Sequence, residues 1–176
     1  MKLCFFLISS FFPLFFIQSS IYDIQVETID GKTVNLSVYK GKTIIVAEFN
    51  AAQPDRASLQ YIDSLQMVNK SSVVIAVPAL DFGGTANEKS IVALRDSLGL
   101  QILITKPAFV KKTAGKIQQE LFKWLTDVNN NRHFDYEVEE PWQLFIINSK
   151  GTLYSLLRTR TPRTVINESM VRDVKE

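Results

Sequence analysis

The chain has 176 residues, with 20 Lys and Arg against 18 Asp and Glu, and 46% of it is hydrophobic. That length suits one domain with a single sizeable core, and the apolar content excludes a chain that stays disordered for lack of surface to bury. The nearly cancelling charges leave no electrostatic footprint for a nucleic-acid partner.

The first twenty residues, MKLCFFLISSFFPLFFIQSS, stand apart. One basic residue, Lys2, precedes an apolar run from Leu3 to Ile17, and small polar Ser19 and Ser20 follow. A bilayer span needs about 20 apolar residues. This run is shorter and is interrupted by Ser9, Ser10 and Pro13, so residues 1–20 are predicted to be a signal peptide cleaved after Ser19 or Ser20. The expected mature domain is 21–176, exported to a periplasm or to the outside, or entering the secretory pathway of a eukaryote. The competing reading is an uncleaved membrane anchor, which changes nothing downstream. The only cysteine, Cys4, lies inside this segment, ahead of most of the apolar run and not after it, where a lipid-modified cysteine belongs. The mature protein is therefore expected to have neither a thiol nor a disulfide.

YDIQVETIDGKTVNLSVYKGK alternates and breaks at Asp30-Gly31, which predicts a hairpin leading into the first core strand. TIIVAEF is a continuous apolar run, as expected of a strand covered on both faces. Over 54–67, Leu59, Ile62 and Leu65 recur at helical spacing, and Pro54 and Asp55 suit a helix start. SVVIAVP reads as a second buried strand, EKSIVALRDSL as a helix, LQILIT as a short strand and GKIQQELFKWLTDV as another helix. After the polar loop NNNRHFDYEVEEP, WQLFIINSKGTLYSLL reads as a hairpin turning at Ser149-Lys150-Gly151. Strands alternating with helices before a closing hairpin predict a compact α/β sheet domain.

Several of these blocks resemble the glutathione peroxidases. The opening hairpin is similar to that family's opening, VPALDFGG to its second strand and following F-P-x-N-Q-F-G loop, and ELFKWLTDVNNNRHFDYEVEEPWQLFIINSKG to the helix, loop and hairpin that carry its W-N-F segment. The resemblance runs from about residue 22 to 162. It implies a thioredoxin-like α/β fold with a central mixed sheet flanked by helices. The family's chemistry rests on a cysteine or selenocysteine, a Gln, a Trp and an Asn, in which a thiolate attacks the peroxide O–O bond while its neighbours keep it deprotonated. Counting from Gly41-Lys42, the nucleophile position falls on Gln53. Along VPALDFGG the family Gln falls on Asp81 and the Asn before it on Leu80; back from FIINSKG, the Trp falls on Glu140 and the Asn on Pro141, with Trp142 in the place of the family Phe. A count with a two-residue deletion instead leaves Trp142 as the family Trp and Gln143 in place of Asn. Under either count the thiol is absent, and a carboxamide cannot cycle through a sulfenic acid.

Three functional readings follow. The first is an exported member that has lost thiol peroxidase activity and keeps a binding or structural role. The second is a peroxide-reducing oxidoreductase of the oxidative-stress response, as the resemblance alone implies. The third is a non-redox site built from the carboxylates of Asp81, Glu140 and nearby Asp55, against which stands drift of rim residues once the thiolate was gone. DVNNNRHFDYEV faintly resembles a calcium loop, with Asp127, Asn129 and Asn131 at alternate positions, but Arg132 stands where such loops need Gly and Val138 where they need a bidentate Glu. A solvated loop is expected there, with His133, the sole histidine, on its surface. Asn35, Asn69 and Asn167 begin N-x-[ST] sequons that carry glycans only in a eukaryotic secretory pathway. No cofactor or metal is expected, the partners are unknown, and the mature domain is expected to be monomeric and not embedded in a membrane. A shallow, partly filled pocket is expected around Gln53.

Overall fold

The computed structural model describes residues 20–68, 70–83, 85, 87–113, 115–158, 161 and 163–172. Residues 1–19 of the expected signal peptide, with Cys4, and Asn69 lie outside the described residues, as does the side chain of Asn167.

A short antiparallel hairpin, β1 (Gln25–Glu27) and β2 (Thr33–Asn35), opens the domain. Its turn uses Gly31 at φ 75°, a left-handed conformation that costs glycine nothing sterically. The hairpin docks on the main sheet through a bridge between Thr28 and Thr105. That sheet has five strands in the order β5 (Leu103–Ile104), β4 (Ser72–Ala79), β3 (Thr43–Asn50), β6 (Leu144–Ile147) and β7 (Leu153–Leu157). β3, β4 and β5 run parallel, and β6 and β7 are antiparallel to their neighbours. The two central parallel strands are apolar along nearly their whole length because both of their faces are covered.

One face carries α1 (Arg56–Val68), α2 (Glu88–Leu98) and Ile166 of α5 (Arg163–Arg172), packed on Ile45, Ala47, Phe49, Val74 and Ala76. The other carries the hairpin, α3 (Glu120–Thr126) and Val138, packed on Ile44, Val46, Ile75, Val77 and Phe145. The period of two in β3 thus assigns odd-numbered positions to the first face and even-numbered ones to the second.

The helix expected over GKIQQELFKWLTDV is shorter than its pattern. Gln118 bridges to Phe109 and the Gln119 N–H donates to the Phe109 carbonyl, so residues 115–119 extend the sheet's fringe before α3 begins. Asp127 then caps α4 (Val128–Asn131), accepting from the Asn129 N–H at 2.9 Å. The polar loop therefore holds a helical turn, ended by Arg132 in the left-handed region at φ 63°. Asn131 is buried and ties the loop together: its Nδ2 donates to the carbonyls of Trp124, Leu125 and Phe134, and its Oδ1 accepts from His133 and Phe134. Asp127 and Asn131 thus serve backbone and neighbouring amides. His133 is exposed. Asn35 caps the 3-10 turn Leu36–Tyr39 through Oδ1, which accepts from the Ser37 N–H at 2.8 Å. α5 has no counterpart in the sequence reading.

Candidate functional site at the carboxyl end of β3

Three segments converge where β3 ends. The first is the turn of residues 51–55 between β3 and α1. The Asn50 carboxamide organises it, since Oδ1 accepts from the N–H groups of Ala52 and Gln53 at 2.9 and 3.2 Å. On its other side Asn50 Nδ2 donates to the Phe82 carbonyl at 2.8 Å, binding the turn to the second segment, the 3-10 turn Leu80–Phe82 that follows β4. Asp55 closes the turn as the cap of α1: Oδ1 accepts from the Ala57 N–H at 3.1 Å and Oδ2 from the Ser58 hydroxyl at 2.6 Å. The Ser58 hydroxyl holds the Asp55 carboxyl below its ordinary range. Gln53 itself is exposed at the tip.

The third segment is the bend of residues 139–143 leading into β6. Trp142 is held at φ 70°, sterically unfavourable for a bulky residue, and its N–H donates to the Glu48 carbonyl at 2.8 Å. Its ring stacks on Phe49 with centroids 5.7 Å apart. Glu140 and Pro141 are half-buried in the bend just before it.

The sequence-derived positions are thus brought to one end of the sheet, but their side chains do not form a joint constellation. Asp81 turns its carboxylate toward residues 110–111, where Oδ2 accepts from the N–H groups of Val110 and Lys111 at 2.6 and 3.3 Å. Among the described residues no hydrogen bond joins the side chains of Gln53, Asp81 and Glu140, and no group of three or more His, Cys, Asp and Glu gathers as a metal site. Lys111 fills part of the rim, with its Nζ 4.6 Å from the centre of the Phe82 ring and donating to the Glu139 carbonyl. On the α1–α2 face, Ala51, Ala52, Pro54, Arg56, Ser90 and Leu94 border an open groove of about 380 Å³; Gln53 is not among its lining residues.

Sequence reasoning passed over Glu48. Its carboxyl is fully buried on the α3 face, with Oε1 accepting the Gln143 N–H at 2.8 Å. Gln143, also fully buried, donates through Nε2 to the Tyr136 hydroxyl at 2.8 Å. Burial pushes the Glu48 carboxyl well above the ordinary carboxylate range, against the pull of the Gln143 N–H. The signal was present: a lone charged residue inside the apolar run TIIVAEF.

A mixed five-stranded sheet with helices on both faces, three parallel strands and a strand-to-helix turn at the carboxyl end of β3 is the thioredoxin-like fold of the glutathione peroxidase type. No family model matches the chain. Comparison with curated proteins finds probable phospholipid hydroperoxide glutathione peroxidases of Nicotiana tabacum and Solanum lycopersicum, 26% and 25% identical over 162 residues, which cover 89% of this chain and 92% of each relative. Probable glutathione peroxidase 8 of Tetraodon nigroviridis is 27% identical over 168 residues, covering 90% of this chain and 74% of that one. Among solved structures, T. cruzi GPX1 superposes with a TM-score of 0.69 at 17% identity, over 89% of this chain and 97% of the other. A thiol:disulfide interchange protein of the thioredoxin family from Chlorobium tepidum gives 0.62 at 12% identity, over 89% and 97%. By sequence and by fold, this chain is a homologue of the glutathione peroxidases.

Proposed function

We propose that this protein is an exported glutathione peroxidase homologue without thiol peroxidase activity, acting by binding or as a structural protein. One observation supports the reading: the count from Gly41-Lys42 puts the family's nucleophile position on Gln53, which sits exposed in the turn between β3 and α1, and the only cysteine of the sequence, Cys4, falls in the expected signal peptide. Reduction of a peroxide by this mechanism needs a thiolate or selenolate that becomes a sulfenic or selenenic acid and is then regenerated. The Gln53 carboxamide is a poor nucleophile, its nitrogen lone pair being delocalised into the carbonyl, and it has no sulfur to cycle between oxidation states. The bonds of Asp81 to backbone amides further support a scaffold role for that carboxylate over a non-redox acid–base site shared with Glu140.

The test is a coupled peroxidase assay on the full chain with hydrogen peroxide or a phospholipid hydroperoxide, using glutathione or a dithiol protein as reductant. Consumption of reductant no faster than in buffer is expected; turnover that survives blocking of Cys4 by alkylation would sink the proposal. Gln53→Cys should then form a sulfenic acid slowly, detectable by dimedone labelling and mass spectrometry. The position lies next to the positive end of α1, which favours a thiolate. Mass measurement of the protein recovered from the medium or periplasm checks export: loss of residues 1–19 or 1–20 is expected, and an intact Met1 in the membrane fraction would refute cleavage.

A further inference from the structure

Glu48 and Gln143 present an accounting problem in hydrogen bonds. Glu48 Oε1 and the Gln143 N–H satisfy each other, and Gln143 Nε2 is used by Tyr136. Two buried oxygens remain, Glu48 Oε2 and Gln143 Oε1, and neither meets a donor. Both belong to residues with 0% exposure, Glu48 in β3 and Gln143 in the bend directly before β6, one position beyond the Ala47–Leu144 pair. Buried acceptors that lack a donor are costly, and an ionised carboxylate is the costlier of the two. One proton removes both problems, because a carboxylic acid donates through one oxygen while its other still accepts.

We propose that Glu48 holds a proton in the native protein, donating through Oε2 to Gln143 Oε1, and that this proton latches the 139–143 bend to β3. The bend then has three attachments to one residue: the Trp142 N–H on the Glu48 carbonyl, the Gln143 N–H on Oε1 and the Gln143 side chain on Oε2. Deprotonation converts the last into a repulsion between two oxygens and loosens the segment that carries Glu140, Pro141 and Trp142 toward the Gln53 turn. Among the described residues no hydrogen bond or ion pair joins a cation to the Glu48 carboxyl. The elements on this face bring Tyr136, half-buried; Tyr39, which packs on the same cluster; Asp81, bonded to backbone; Glu137, on the Lys112 N–H; Lys111, over Phe82; Lys112, paired with Asp135; and Lys123, paired with Glu120 on the outside of α3. The inference is independent of whether the protein reduces peroxides.

The direction of the pH dependence follows. The folded state keeps the proton to a higher pH than the unfolded chain, whose glutamates release it near about 4.3. Between those limits the native state binds more protons, so the stabilisation is complete below the unfolded value and is lost as pH rises through the folded one. The folding equilibrium constant of the full chain, from urea denaturation at pH 5 to 8, is therefore expected to fall by up to about tenfold per pH unit from this group alone. Glu48→Gln cannot ionise, so it should lose that dependence and be more stable than the natural protein at pH 8. Should that variant fail to fold, carbon-13 NMR of the unmodified chain labelled at glutamate carboxyls decides. One carboxyl titrating well above the others, with faster exchange of the Gln143 amide once it has titrated, is the expected result. Tyr136→Phe adds a second arm, since it frees Gln143 Nε2 to turn toward Oε2 and should lower that titration. If every glutamate titrates in the ordinary range, or if the Glu48→Gln difference from the natural protein is the same at pH 5 and pH 8, the Gln143 amide lies the other way round over an ionised Glu48, and the latch is refuted.

Discussion

The two faces of the sheet treat the last residues of β3 in opposite ways. On the α1–α2 side Phe49 is wholly buried among apolar residues and stacked on Trp142, with Ala51 continuing the same surface. On the α3 side the alternate positions are Glu48 and Asn50, whose polar groups are fastened to the neighbouring segments at Gln143 and Phe82. The apolar face supplies cohesion without direction, and the polar face supplies direction. It determines where the 51–55 turn, the Leu80–Phe82 turn and the 139–143 bend sit relative to one another. A strand end built this way keeps its scaffold geometry whatever side chain occupies position 53, because Asn50 grips that turn by its backbone N–H groups.

Breaking the apolar side should have the largest effect. Phe49→Ala removes a fully buried ring and its stacking partner's contact, and should destabilise the domain by about 3–5 kcal/mol in urea denaturation. A loss under about 1 kcal/mol would mean that Trp142 and α1 close the gap and that the face is not tightly packed. Asn50→Ala should cost less, about 1–3 kcal/mol, since it frees two N–H groups and one carbonyl that water can partly reach. Its distinguishing mark is local: amide exchange of Ala52 and Gln53 should accelerate far more than that of β4. The smallest effect belongs to Asp55→Ala, the loss of an exposed helix cap, at about 1 kcal/mol near neutral pH. Here the sign is opposite to that of Glu48. The Asp55 carboxyl is held below its unfolded value, so its contribution is present above about pH 4 and is lost as pH falls through the folded value. Equal stability differences between the natural and Asp55→Ala proteins at pH 7 and pH 2.5 would show that the capping bonds do not contribute.

Much of the scaffold was legible in the chain. The continuous apolar runs of β3 and β4 name their own double coverage, Leu59, Ile62 and Leu65 name the buried stripe of α1, and Asp30-Gly31 names a hairpin turn. The missed parts depend on contacts between segments far apart in the chain. Residues 115–119 carry a helical pattern, yet Gln119 is taken by the Phe109 carbonyl. NNNRHF looks like solvated loop, yet Asn131 satisfies five backbone groups from a buried position. α5 was not read from the sequence; among its described residues Ile166 is the one that is buried.

The same division holds at the site. By itself the sequence determined which chemistry position 53 can carry, because Gln53 is a carboxamide in any fold. It also carried the resemblance by which that position was counted. Whether Asp81 meets Gln53 or the amides of residues 110–111, and whether Glu48 meets water or Gln143, was decided only when β4, β3 and β6 came into register. A carboxyl's role depends on the donors within about 3 Å of it, and those donors come from residues that lie as far along the chain as Glu48 does from Gln143.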